Sequence, residues 1–261
     1  MAAEKAPVVI IGLGEMGGVF ARGFLRLGHP VYPALRDTDL AALAAALPDP
    51  ALVLVAVAEK DVEPALAKLP KPWHANVCLL QNELLPADFG HLPDPTVISV
   101  WFEKKPGQEP KVILPSPVYG PGARLVHDAL GRLDIPVRVL DSAAALEFEL
   151  VLKNLFILTT NIAGLRTGGT VGELWSRHRD TAEAVAGDVI ALQEALTGNR
   201  YDHRALVEGM VGAFDGDPDH KCMGRSAPAR LERALAHADR LGIELPTLGA
   251  IARERAGHTG A

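Results

Sequence analysis

Lys153 sits in "ELVLKNLFILTTN" (Glu149–Asn161), with Leu-Val-Leu before it and, after a single Asn, a run of large apolar side chains. An ammonium group in the middle of so apolar a helix has two explanations. One is a side chain that snorkels to solvent and pairs with Glu149, four residues earlier. The other is a general acid facing a cleft. Burial lowers a lysine's pKa toward neutrality, and the ammonium form stabilises a growing alkoxide before it yields its proton. Helical geometry puts Glu149, Lys153, Ile157 and Thr160 on one face, with Asn161 at its margin two turns on, where its amide would meet a substrate hydroxyl or carboxylate.

A second stretch has phosphate chemistry in it. "VVIIGLGEMGGVFARGFLRLG" supplies Gly12, Gly14 and Gly17 in G-x-G-x-x-G spacing, with Leu13, Glu15 and Met16 between them. Alone the spacing is weak and describes any glycine-rich turn; here it follows an apolar strand and opens a helix. Gly12 permits the tight turn, Gly14 lets a pyrophosphate approach the backbone, and Gly17 lets helix and strand pack closely. The first N–H groups of the helix then face the phosphate charge. At the end of the next strand, "GHPVYPALRD" places Arg36 and then Asp37. An NAD site usually has an acidic residue there, whereas an arginine pairs with a 2′-phosphate. NADP(H) is therefore the expected cofactor and NAD(H), through Asp37, the alternative; an exposed arginine at a strand end is the plain reading of Arg36.

The elements that would position these residues alternate in the first half. Strands are predicted at Val8–Gly12, Pro30–Leu35, Ala51–Ala58, Asn76–Gln81, Thr96–Trp101 and Pro136–Leu140, with a weaker one at Lys111–Leu114. Several are apolar without alternation, as in parallel strands buried on both faces. Helices are predicted from about Gly14 to Leu27, Thr38 to Leu47, Val62 to Leu69 and Gly122 to Leu133, and Tyr119–Gly120 in "SPVYGPG" reads as a turn. From Ser142 onward the pattern is helical: Ser142–Gly164, Arg179–Leu196, His203–Val211, Ser226–Leu241 and a last piece from about Thr247, with Gly242 as a C-cap. The prediction is an α/β Rossmann domain over residues 1–140, shortened and mostly parallel, and an all-α substrate and dimerisation domain over 141–261. Lys153 then falls in the first helix of the second domain, close to the junction where a cleft would lie.

Composition narrows the function class. The 261 residues include 22% charged and 48% hydrophobic residues, and the formal net charge is −6, as in ordinary globular proteins. The acidic balance argues against nucleic acid or an anionic membrane as partner. No apolar run approaches the roughly 20 residues that span a bilayer, and "MAAEKAP" lacks the apolar core of a signal peptide. Cys78 and Cys222 are too few for a disulfide framework or a zinc site, so no metal and a reduced, cytoplasmic setting are expected.

"IIGLGEMGG", "GH-x-V" with Arg36 five residues after Val31, "LLQN" with Asn82, a lysine in a long helix and "DHKCMGRS…LGIELP" resemble the ketopantoate reductase family. "GLGEMG" is also similar to the β-hydroxyacid dehydrogenases, which use a lysine in the first long helix after the Rossmann domain. The resemblance implies NADPH-dependent reduction of a 2-oxo acid and a helical domain of the 6-phosphogluconate dehydrogenase C-terminal type. By it, Lys153 matches the catalytic lysine, Asn82 the asparagine of an "NG" motif between cofactor and substrate, and Asn161 a substrate-binding asparagine. Val57 and Ala58, at the end of the strand predicted at Ala51–Ala58, join the glycine loop and Asn82 in the cofactor set. Ile157 stands where the family has another asparagine, Ala58 where a lysine is frequent, and Glu83 where the motif has glycine. Ser226 falls about where a glutamate works with the lysine, and Cys222 where a substrate-binding serine is common. Only 15 residues separate Arg36 from Leu52, enough for one helix but not for the helix and extra strand expected there, which implies a more open adenosine side.

The leading expectation is an NADPH-dependent reductase of a small 2-oxo acid, with Lys153 and Asn82 as catalytic residues. Reduction of an imine or oxidation of a 3-hydroxy acid on the same scaffold is the alternative within enzymes, and a non-catalytic NADP(H) sensor the alternative outside them. Taken alone, Asn82 reads as a turn residue, Ser226 as a helix N-cap, and His220 in "GDPDHKCMG" as an exposed loop histidine. Analogy suggests a homodimer.

Overall fold

The computed structural model describes residues 5–259, so the expectation about the lead-in at Met1–Glu4 lies outside it. The chain divides into two compact units, one up to Leu150 and one from Val151. In chain order the first holds β1 (Val8–Ile11), α1 (Glu15–Arg26), β2 (Val31–Ala34), α2 (Leu40–Ala46), β3 (Leu52–Val55), α3 (Val62–Ala67), β4 (Val77–Leu79), α4 (Pro86–Phe89), β5 (Thr96–Ile98), β6 (Phe102–Glu103), β7 (Lys111–Val112), β8 (Ser116–Tyr119), α5 (Ala123–Gly131) and β9 (Val137–Val139). Helix α6 (Ala143–Thr167) begins in it and runs on into the second unit, which adds α7 (Val171–Arg177), α8 (Arg179–Thr197), α9 (His203–Gly216), α10 (Ala227–Leu241) and α11 (Pro246–Thr259).

Seven strands form one sheet in the order β2-β1-β3-β4-β5-β8-β9, and every neighbouring pair is parallel except β5–β8. Alternate side chains of the unbroken apolar runs go to opposite faces. Val9, Val53, Val77 and Val97 pack with α2, α3 and the first two turns of α6 through Ala44, Leu66, Leu146 and Leu150. Val8, Ile10, Leu54 and Ile98 pack with α1 and α5 through Phe20, Phe24, Val126 and Leu130. The result is a Rossmann-like three-layer unit followed by a helical one.

Between β2 and β3 there is one helix and no strand, so β2 is the sheet edge. Val8 N donates to Pro30 O and Gly12 N to Ala34 O, which turns the even-numbered residues of β2 toward β1. Pro33 therefore faces outward, where its missing N–H removes no ladder bond.

Two expectations need correction here. No strand is predicted at Ser116–Tyr119, yet these residues form β8, between β5 and β9. Pro117 is tolerated because its register partner would be Ser99, one residue past the end of β5, and Ser99 N donates to Pro117 O at 2.9 Å. Of the turn expected at Tyr119–Gly120, Tyr119 is the last residue of β8 and the chain bends at Gly120, with φ 115°. Helix α6, 25 residues long with an 18-residue window of mean hydropathy 1.3, is by length and composition sufficient to cross a membrane, contrary to the expectation that no run is; 83% of that window is buried within the protein.

The helical unit is closed by local signals and buried amides. Thr170 and Glu173 form a capping box on α7, Asp202 caps α9 through Ala205 N, and Gly242 ends α10 in the left-handed conformation at φ 66°. Asn154 on α6 donates to Gln193 on α8 at 2.9 Å, and both side chains are buried.

Candidate functional site

Each unit contributes a group of the expected residues. In the first, the glycine loop joins β1 to α1. Gly12 has φ 89°, and a Cβ there would lie 2.9 Å from Ala56 O and 3.0 Å from Val57 Cγ1, so backbone conformation and space both demand glycine. A Cβ on Gly17 would meet Gly12 O at 2.3 Å, whereas one on Gly14 would meet nothing within 4 Å. The loop is thus closed on its inner side and open at the N-cap of α1, where the helix presents N–H groups that have no intrahelical acceptor. Leu13 is exposed, Met16 is half-buried, and Glu15 stands in the first turn paired with Lys104. A cleft of about 290 Å³ runs beside Leu13, Gly14 and Gly18.

Arg36 is exposed in the turn after β2, which Thr38 closes by accepting from Leu35 N at 2.8 Å. Ala58 is exposed and leads into a 3-10 turn at Glu59–Asp61. Asn82 Nδ2 donates to Glu59 Oε1 at 3.1 Å, tying the turn after β4 to that after β3. Glu83 has φ 63°, so the backbone bend for which the resemblance expects a glycine is kept without one.

In the second unit, Lys153 is 9% exposed, and its Nζ lies 5.6 Å from the centroid of the Phe156 ring. Glu149 does not serve the surface pairing weighed for it: its carboxylate is held by Arg138. Ile157 is buried. Asn161 is buried too, and its amide is bonded on both sides, Nδ2 donating to Cys222 O at 3.1 Å and Oδ1 accepting from Arg230 at 2.8 Å. Cys222 is buried against Gly164, and burial first of all pushes its thiol up to about 11, so it is an uncharged packing group at neutral pH. Ser226 holds the N-cap position of α10, but its side chain makes no capping bond. His220 is not an exposed loop residue: it is partly buried, with Nδ1 3.7 Å from Asp217 Oδ2 and its ring 5.9 Å from that of Phe156. The structure thus brings Asn161, Cys222 and α10 together, and groups Lys153 with Phe156 and His220.

No protein-family model matches the chain, and no curated protein does. Solved structures do. The 2-dehydropantoate 2-reductase of Methylococcus capsulatus superposes with a TM-score of 0.68 at 14% identity, over 97% of this chain and 97% of that one. The dimeric ketopantoate reductase of Staphylococcus aureus gives 0.63 at 17%, over 96% and 98%. The fold is that of the ketopantoate reductases. A glycerol-3-phosphate dehydrogenase from Coxiella burnetii is also similar, with a TM-score of 0.54 at 15% identity over 95% and 94%.

Two side chains at these positions carry no linear signal. Gln81, buried at the end of β4, donates to Val55 O at 2.6 Å and Val57 O at 3.3 Å, and so braces the strand end beside the glycine loop. Arg230 is 69 residues from the asparagine it holds, and only a spacing rule for α10 against α6 could have singled it out.

Proposed function

We propose that the protein is an NADPH-dependent reductase of a small 2-oxo acid or a related carbonyl, with Lys153 as general acid. The observation that carries this is the burial of Lys153. A lysine is seldom kept so far from water unless it is paired or its proton is used, and here it stands in a chain whose other unit has a loop with no room for a Cβ at Gly12 or Gly17. That loop suits a dinucleotide, because its inner side is filled by Ala56 and Val57 while Gly14 is open. When bound, the cofactor supplies the hydride that reduces the carbonyl carbon. Gly14 and the first turn of α1 would hold the pyrophosphate, with Leu13, Glu15, Met16, Val57 and Ala58 around it, and Arg36 would pair with a 2′-phosphate. Asn82, held by Glu59, offers a non-titrating amide to orient the reacting oxygen. Lys153 stabilises charge on that oxygen and then gives it a proton.

Ile157 and the engaged amide of Asn161 favour a substrate pocket rebuilt from that of ketopantoate, with Ser226 and Cys222 contributing shape more than charge. A homodimer is part of the proposal, since one similar reductase is described as dimeric, and a reducing cytoplasmic setting suits two buried, unbridged cysteines.

The test is NADPH oxidation with ketopantoate beside a panel of 2-oxo acids and imines, run with wild type and Lys153→Ala. Turnover is expected on at least one carbonyl, reduced by about 10²–10⁴ in kcat in the variant, and Arg36→Ala should weaken NADPH about tenfold while sparing NADH. NADPH bound with no turnover on any member would replace the reductase by the sensor.

A further inference from the structure

The excursion that carries β6 and β7 is clasped to α1 at two points. Lys104, just after β6, lies with Nζ 2.7 Å from Glu15 Oε2 and donates also to Lys105 O at 2.7 Å. Arg22, two turns along α1, pairs with Glu109 just before β7 at 3.0 Å. Phe102 of β6 packs against Phe20 of α1, with ring centroids 6.3 Å apart. The cleft of about 290 Å³ is lined by Leu13, Gly14 and Gly18 of the loop and α1, by Arg22 further along α1, and by Lys104 of the excursion.

The charges there are uneven. Only 14% of the Lys104 side chain is exposed, so its ammonium is largely withdrawn from water and held beside the loop by one carboxylate. Arg22 Nε is buried with no hydrogen-bond partner among the described residues. Glu109, held below its ordinary value mainly by its bond to Arg22, is lowered further by Lys104 and Arg26. Glu15 itself occupies the first turn of α1, where the helix favours an anion. A phosphate brought to Gly14 would compete with that carboxylate for the same positive field and the same ammonium.

We propose that Lys104 is a pyrophosphate-binding residue: Glu15 keeps its ammonium beside the glycine loop, and the dinucleotide's pyrophosphate takes the ammonium over on binding. This rests on the reading of the first unit as a dinucleotide site. The excursion thereby becomes a second wall of that site, contributed by a segment outside the G-x-G-x-x-G motif. Glu15 is a competitor that sets the affinity, so the two partners of one ion pair should act in opposite directions.

The experiment is calorimetric titration of NADPH and of adenosine 2′-monophosphate, which lacks the pyrophosphate, into wild type, Lys104→Met, Lys104→Arg and Glu15→Gln, with thermal melting as the check on folding. NADPH should bind Lys104→Met about tenfold more weakly and Glu15→Gln severalfold more tightly, while Lys104→Arg retains most of the affinity and the 2′-monophosphate is unaffected throughout. Weakening by Lys104→Met and Glu15→Gln alike would show a mere structural clasp and overturn the proposal, as would no change in either. Wild type that binds neither NADPH nor NADH would instead overturn the dinucleotide reading itself.

Discussion

Glu83 stands at φ 63°, where an L side chain crowds its own backbone. That conformation costs about 1–2 kcal/mol relative to glycine, offset in part by whatever the side chain touches. Glu83→Gly is therefore expected to raise stability by about 1 kcal/mol, visible as a melting temperature a few degrees higher. A lower melting temperature would mean that the Glu83 side chain contributes more than the bend costs. Gly12 and Gly17 are the reverse case, since neither has room for a Cβ. The glycine loop and the lysine in its apolar run were legible because each is a local pattern of residue types. Asn161 was legible as a polar residue on the lysine's helix, but its bonds to the Cys222 carbonyl and to Arg230, 61 and 69 residues away, were not.

Helix α8 ends on a carboxylate that joins it to α9. Glu194 is 6% exposed; burial pushes its pKa up, but hydrogen bonds from His203, the Tyr201 N–H and Arg200 outweigh this and hold it below its ordinary value of 4.5. A depressed carboxylate contributes stability that is present above the unfolded-state pKa and is lost as pH falls through the folded one. Glu194→Gln should thus destabilise the protein at neutral pH by about 1–3 kcal/mol, and the gap between variant and wild type should close as pH drops below 4.5. Melting curves between neutral pH and strong acid read this directly, and a gap independent of pH would sink the argument. The helices themselves were largely readable from their hydrophobic period and from the Gly242 C-cap. The seven-residue α7 was not, because its capping box at Thr170 and Glu173 opens too short an apolar pattern to stand out.

Across the molecule, the shortened sheet leaves β2 as an open edge with Tyr32 and Leu35 exposed beside it. Pro33 interrupts the outward row of N–H groups that a second chain would need for pairing. Pro33→Val is expected to keep the fold and to introduce concentration-dependent association, followed by light scattering; a variant that stays as dispersed as wild type would remove Pro33 from this role.

The alternation of strands and helices in the first half, the helical half that follows, the glycine loop and the missing strand after Arg36 were determined by the sequence itself. Hydrophobic period, caps and segment lengths are properties of a few neighbouring residues, and they act before any tertiary contact forms. What only the tertiary structure decided is pairing across distance. It set Ser116–Tyr119 between β5 and β9 although Pro117 argues locally against a strand, it gave Glu149 to Arg138, and it brought Lys104 to Glu15 across 89 residues. These choices depend on which surfaces meet once the chain is compact, and no short stretch of sequence encodes that.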